Sequence, residues 1–227
     1  DIGVDVHTIG DRAFKGTTSL NKLLGGSGLT SIGKEAFSES TLSGVFPLSD
    51  SLAFLGEDAF RGTRITTFHT GSTLTEIGVG AFEFSTLRVV SLGSAVTVIG
   101  TDAFRSCRQL ETVEIQSTNL AEIGPGAFID CIRLTTFELP PGSSTLNLLG
   151  LSAFANTPRL RTFNLGPVYT DVLRAAFGTG SACTRDRNFA FQTGSRYVDC
   201  SPVQTPVTCT VTSFPGAGHP PHCLGIA

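Results

Sequence analysis

Charge is scarce in this 227-residue chain: Asp, Glu, Lys and Arg make up 15% of it, and the formal net charge is −3. So weak a negative balance gives no general attraction to nucleic acid or to an anionic bilayer, and no basic patch restores one. No apolar stretch approaches about 18 residues, so no membrane-spanning helix is expected and membrane insertion is excluded as a function. A chain beginning at Asp1 shows no signal-peptide pattern, which is compatible with a leader already removed. None of its asparagines is followed by X-Ser/Thr in the form that accepts an N-linked glycan, Asn156-Thr157-Pro158 included. No phosphate loop and no combination of nucleophile, base and orienting group can be assembled, so neither an enzyme nor a cofactor is expected.

What the chain does have is a repeat. Ile/Leu-Gly, two variable residues and Ala-Phe recur with the phenylalanine at 14, 37, 60, 82, 104, 128 and 154, and in a degraded copy at Phe177. The separations are 23, 23, 22, 22, 24, 26 and 23 residues, a period that marks a solenoid. Seven clear copies and one degraded copy therefore define a repeat region over 1–177, followed by a Cys, Pro and Thr-rich cap or tail over 178–227.

Each copy carries a second apolar block after its phenylalanine, such as Leu110-Val113-Ile115 or Leu134-Phe137-Leu139. Alternation at its end, Val113 in and Glu114 out, predicts one short parallel strand per coil with one buried face. The Gly-X-X-Ala-Phe stretch suits a tight turn and a single helical or 3₁₀ turn, with glycine supplying backbone freedom. A coil of about 23 residues cannot bury its own apolar side, so stacking makes one shared core in which the phenylalanines form a column.

The pattern Ile-Gly-x-x-Ala-Phe-x-x-Cys-x-x-Leu-x-x-Val-x-Leu-Pro, seen most fully at Ile99 to Ile115 and Ile123 to Pro140, resembles BspA-like leucine-rich repeats. The resemblance implies an α/β-type solenoid on a secreted or cell-surface protein, with a role in adhesion or protein binding and none in catalysis. The family's cysteine survives here only as Cys107 and Cys131; Thr17, Ser40, Thr63, Ser85 and Thr157 stand in its place elsewhere.

Cysteine usage points to an oxidising compartment. Cys183, Cys200, Cys209 and Cys223 lie in the tail, where little surface can be buried, and read as two disulfides closing a C-terminal cap. Three pairings are open, of which Cys183 with Cys200 and Cys209 with Cys223 closes the shortest loops. Cys107 and Cys131 occupy equivalent places in neighbouring coils and are either stacked buried thiols or a disulfide. His219, His222 and Cys223 have ligand-type side chains, but the adjoining prolines and the need for Cys223 in a disulfide argue against a metal site.

Positions flanking the central apolar residue of each strand should face outward and form a binding surface. The candidates are Leu24, Phe46, His69, Ser91, Glu114, Glu138 and Asn164. Glu111, Glu114 and Glu138 read as an acidic strip that Arg105, Arg108 and Arg133 could balance. Arg64, Arg133 and Arg159 precede the strand's first apolar residue and predict an edge strip. The function expected is an extracellular interaction module for a protein or glycan partner. The alternative is a structural subunit that associates with itself or packs into a larger assembly.

Overall fold

The computed structural model describes residues 2, 3, 5–46, 50–165, 176, 190, 191, 198 and 199. The tail cysteines Cys183, Cys200, Cys209 and Cys223, with His219, His222 and Phe177, lie outside them.

The chain winds as a parallel β-solenoid of about seven turns, and every coil after the first contributes two strands where the sequence predicts one. The first is a two-residue strand just before the repeat glycine: β1 (Thr8–Ile9), β2 (Ser31–Ile32), β4 (Phe54–Leu55), β6 (Glu76–Ile77), β8 (Val98–Ile99), β10 (Glu122–Ile123) and β12 (Leu148–Leu149). The second is longer: β3 (Ser43–Val45), β5 (Arg64–His69), β7 (Val89–Leu92), β9 (Thr112–Ile115), β11 (Thr136–Glu138) and β13 (Thr162–Asn164). The short strands form two parallel stacks, β1-β2-β4 and β6-β8-β10-β12, and the longer strands form one continuous parallel sheet. Past β13 that sheet is extended antiparallel by β15 (Val198–Asp199) and then β14 (Ala190–Phe191). The first coil has no second strand of its own, but its Asn21 carbonyl accepts the Ser43 amide at 3.0 Å.

The repeat residues fill one interior. From Phe14 to Phe154 the phenylalanines stack coil on coil, with centroids 5.1 to 5.4 Å apart and planes within 12° of parallel. Such a pair contributes roughly 0.5–1.5 kcal/mol beyond its buried area. Phe68, Phe137 and Phe163, inward-facing residues of their strands, meet this column edge-on at 4.6 to 5.3 Å.

No α-helix occurs between Ile2 and Leu165 among the described residues, so the α/β-type solenoid expected from the family pattern is an all-strand one. The Gly-X-X-Ala-Phe segment is a ribbon of turns. In the coil of Phe104, Ala103 donates to Gly100, Arg105 to Asp102 and Cys107 to Phe104, while the alternate amides of Asp102, Phe104 and Ser106 donate to Pro125, Ala127 and Ile129 of the next coil. A helical turn would spend its amides within the coil; the ribbon gives half of them to its neighbour. The pattern reaches the eighth repeat, where Phe154 donates to Ala176 at 2.8 Å.

Two residues per coil hold this ribbon with positive φ. One precedes the alanine, as at Asp58 (φ 54°), Gly80 (60°) and Asp102 (53°). The other lies two beyond the phenylalanine: Gly16, Glu39, Gly62, Phe84, Ser106, Asp130 and Asn156. The repeat glycine itself has no positive φ and answers a different need. A Cβ on Gly100 would stand 2.8 Å from the Ile77 carbonyl oxygen and 2.9 Å from the Val79 nitrogen, so close approach of backbones, not backbone freedom, requires glycine there.

One strand departs from the expected register. β3 pairs with β5 through Gly44 opposite Ile65 and Val45 opposite Thr67, with a bulge between Gly44 and Val45. Gly44 takes φ +81° to make it. The consequence reverses a sequence expectation: Phe46 is buried, packed at 4.8 Å on Phe60 and 5.5 Å on Phe37, and Val45 is exposed in its stead. The extra residue of the bulge is Thr66 of β5, which is left between Ile65 and Thr67 without a partner on β3.

Candidate functional site

The outward side of the long sheet carries two columns of side chains. Before the central core residue stand Val45, Thr67, Val89, Thr112, Thr136 and Thr162, which the ladder pairs in that order. All six are β-branched, the residue type that suits a pleated, half-exposed surface. After the central residue stand His69, Ser91, Glu114, Glu138 and Asn164, while Leu24 lies in the first coil, which adds no strand to this sheet.

The sequence-derived candidates meet different fates on this face. Leu24 is 49% exposed, and His69 and Glu114 are exposed as well. Glu138 and Asn164 are half-buried; Ser91 is nearly covered, its hydroxyl donating to Glu114 at 2.5 Å. Phe46 is in the core and belongs to no surface. Val45, 60% exposed, is the residue that sequence reasoning missed, and the signal for it was Gly44.

Charge divides between this face and the turn ribbon. Of the expected acidic strip only Glu111 is neutralised, by Arg88 at 3.5 Å and Arg133 at 3.2 Å. Among the described residues Glu114 and Glu138 form no ion pair. Arg105 lies on the ribbon instead, 3.7 Å from Glu83 and 3.6 Å from Asp102. The ribbon also holds Lys34 with Glu57 at 2.6 Å, and Arg61 with Glu83 at 2.8 Å. Hydrogen bonds from Lys15 and Arg12 hold the Glu35 carboxyl down at about 2. The edge strip is interrupted: Thr86 and Gln109 occupy the places between Arg64 and Arg133, and Arg133 is tied to Glu111.

Cys107 and Cys131 are free thiols, both buried. Burial pushes the Cys107 thiol up to about 12 and raises that of Cys131 well above the ordinary range, which disfavours both thiolates. Among the described residues no three His, Cys, Asp or Glu side chains are placed to hold a metal ion, and no helix is long and apolar enough to cross a membrane.

The stacked two-strand coils with a phenylalanine spine match the model for the BspA type leucine rich repeat region in 6 copies, over residues 1–107 and 53–184. The chain belongs to the BspA type leucine-rich repeat family. No curated protein matches it. Among solved structures, this BspA type solenoid is similar to a leucine-rich repeat protein from Eubacterium ventriosum, at 18% identity and TM-score 0.46 over 70% of this chain and 57% of that one. It is similar also to the pneumococcal vaccine antigen PcpA, at 21% identity and TM-score 0.45, over 72% of this chain and 49% of that one. A leucine-rich repeat protein from Bacteroides ovatus matches at 18% identity and TM-score 0.36, over 73% of this chain and 66% of that one. The BspA type chain thus spans between about half and two thirds of the length of these proteins.

Proposed function

We propose that this BspA type repeat chain is a non-enzymatic module of a secreted or cell-surface protein, and that it takes a protein partner on the outward face of its long sheet. The observation that carries the reading is the make-up of that face. Its first strand offers apolar Val45, with Leu24 exposed in the coil before it, while two coils farther along offer the carboxylates of Glu114 and Glu138 with no ion pair among the described residues. An apolar end supplies desolvation on contact, and unpaired carboxylates supply register and a preference for a basic partner surface. Family membership supports the same reading, since repeats of this kind recur on cell-surface proteins such as that of Faecalibacterium prausnitzii.

The test is capture of partners from native extracellular material by the intact chain, with Val45→Asp and Glu114→Lys as variants of the face. Phe46→Asp is unsuitable, because it would place a carboxylate in the core. The reading expects both face variants to lose partners that the wild type retains. Retention of every partner by both variants rejects it.

A further inference from the structure

Phe84 breaks the rule of its own column. Six other coils place Gly, Glu, Ser, Asp or Asn two residues beyond the repeat phenylalanine, where φ is positive. Phe84 takes φ 58° there although a bulky side chain is disfavoured in that region. Nor does the ring gain burial in return, since it stays 50% exposed. A strained, exposed aromatic that neither packs the core nor eases the turn is an outlier of the kind that accompanies binding sites.

The surroundings indicate what such a ring could bind. The Arg61 guanidinium lies 5.4 Å from the ring centroid, holding the side chain in place. The neighbouring coils put the small residues Gly62 and Ser106 at the equivalent positions, so the face of the ring that Arg61 does not cover has no large neighbour in this column; the coils beyond them put Glu39 and Asp130 there. Arg61 and Arg105 are already matched by Glu39, Glu83 and Asp102, so the patch offers donors and acceptors together but little net field. A ligand suited to it has an apolar C–H face for the ring, hydroxyls that both donate and accept, and no charge.

We propose that the turn ribbon around Phe84 is a binding site for a neutral saccharide, with a pyranose stacked on the face of the phenyl ring that Arg61 does not cover and its hydroxyls bonded to Glu83 and neighbouring polar groups. The site is separate from the sheet face and does not rest on that face being used.

The test is ¹H–¹⁵N NMR and saturation-transfer difference on the intact chain with maltohexaose, cellohexaose and mannohexaose. At least one should shift amides around residues 61–62, 83–84 and 105–106 and receive saturation on its ring C–H protons. Phe84→Asn should weaken that binding more than tenfold while raising the melting temperature by a few degrees, because asparagine tolerates the backbone conformation; Phe84→Tyr should keep the binding. Silence of all three saccharides, shifts confined to the sheet face, unchanged affinity in Phe84→Asn, or a fall in its melting temperature each overturns the proposal. Loss of a captured protein partner on Phe84→Asn, with the saccharides silent, assigns the ring to a protein contact and overturns it equally. Val45→Asp and Glu114→Lys should leave saccharide binding intact, which separates this outcome from that of the sheet-face reading.

Discussion

The Cys107 thiol donates to the carbonyl oxygen of Phe82, one coil back, at 3.0 Å, and lies 3.3 Å from the Ser85 hydroxyl. Cys131 repeats the bond to Phe104 at 3.2 Å. The two thiols act as small buried side chains that tie one coil to the previous one, and burial disfavours their thiolates. Iodoacetamide labelling followed by mass spectrometry should find both unmodified in the native protein and both modified after denaturation. Labelling in the native state, or recovery of the two peptides joined by a disulfide, contradicts this arrangement.

The same layer predicts a stabilising substitution. Thr63 and Thr157 satisfy their buried hydroxyls by donating to the phenylalanine carbonyl three residues back, at 2.8 and 2.7 Å. Ser40, between Thr17 and Thr63 in the stack, is the one buried side-chain polar group without a hydrogen-bond partner among the described residues. Ser40→Thr should raise stability by about 1 kcal/mol in urea denaturation, as a threonine here can make the bond its neighbours make. A loss of stability would mean that the added methyl does not fit.

The repeat glycines predict opposite signs for one chemical change. Gly10 occupies in the first coil the place that Gly100 occupies in the fifth, but a Cβ on Gly10 meets nothing within 4 Å. Gly10→Ala should be neutral or stabilise by up to about 1 kcal/mol, by reducing the freedom of the unfolded chain. Gly100→Ala forces a methyl against the backbone of the preceding coil and should destabilise by roughly 1–3 kcal/mol. Equal effects of the two substitutions in parallel melts would refute close approach as the reason for the glycine.

Acid should weaken the turn ribbon at a defined place. The Glu35 carboxyl is held at about 2 against an ordinary 4.5, first by its hydrogen bond from Lys15 and then by that from Arg12. A depressed value means that the folded form favours the carboxylate, so this contribution is complete above about pH 4.5 and is lost as pH falls toward about 2. The stability difference between wild type and Glu35→Gln should therefore be present at neutral pH and shrink through that window. A difference that does not change with pH removes the ion pairs from the account.

The solenoid and the core column are legible in the sequence, because stacking forces equivalent residues into equivalent places. Periodicity alone puts Phe46 outside, because the apolar pattern Leu42-x-x-Val45 reads as regular; the bulge beside Gly44, which periodicity does not encode, turns the ring inward. Helical turns were expected where the chain makes a turn ribbon, since Gly-X-X-Ala-Phe fits either and only the demand for bonds to the next coil separates them. Phe84 stands out only when the residues two beyond each repeat phenylalanine are compared as a column.

The fold depends on like residues of successive coils being energetically coupled through one shared spine. Phe82 and Phe104 are 5.3 Å apart and within 3° of parallel, whereas Phe37 and Phe128 stand at separate levels of the same stack. A double-mutant cycle on Phe82→Leu and Phe104→Leu, read by urea denaturation, should give a coupling of about 0.5–1.5 kcal/mol. The control pair Phe37→Leu and Phe128→Leu should be additive to within about 0.5 kcal/mol. Additivity of the Phe82 and Phe104 pair, no different from the control, would contradict the continuous spine on which the binding surfaces are built.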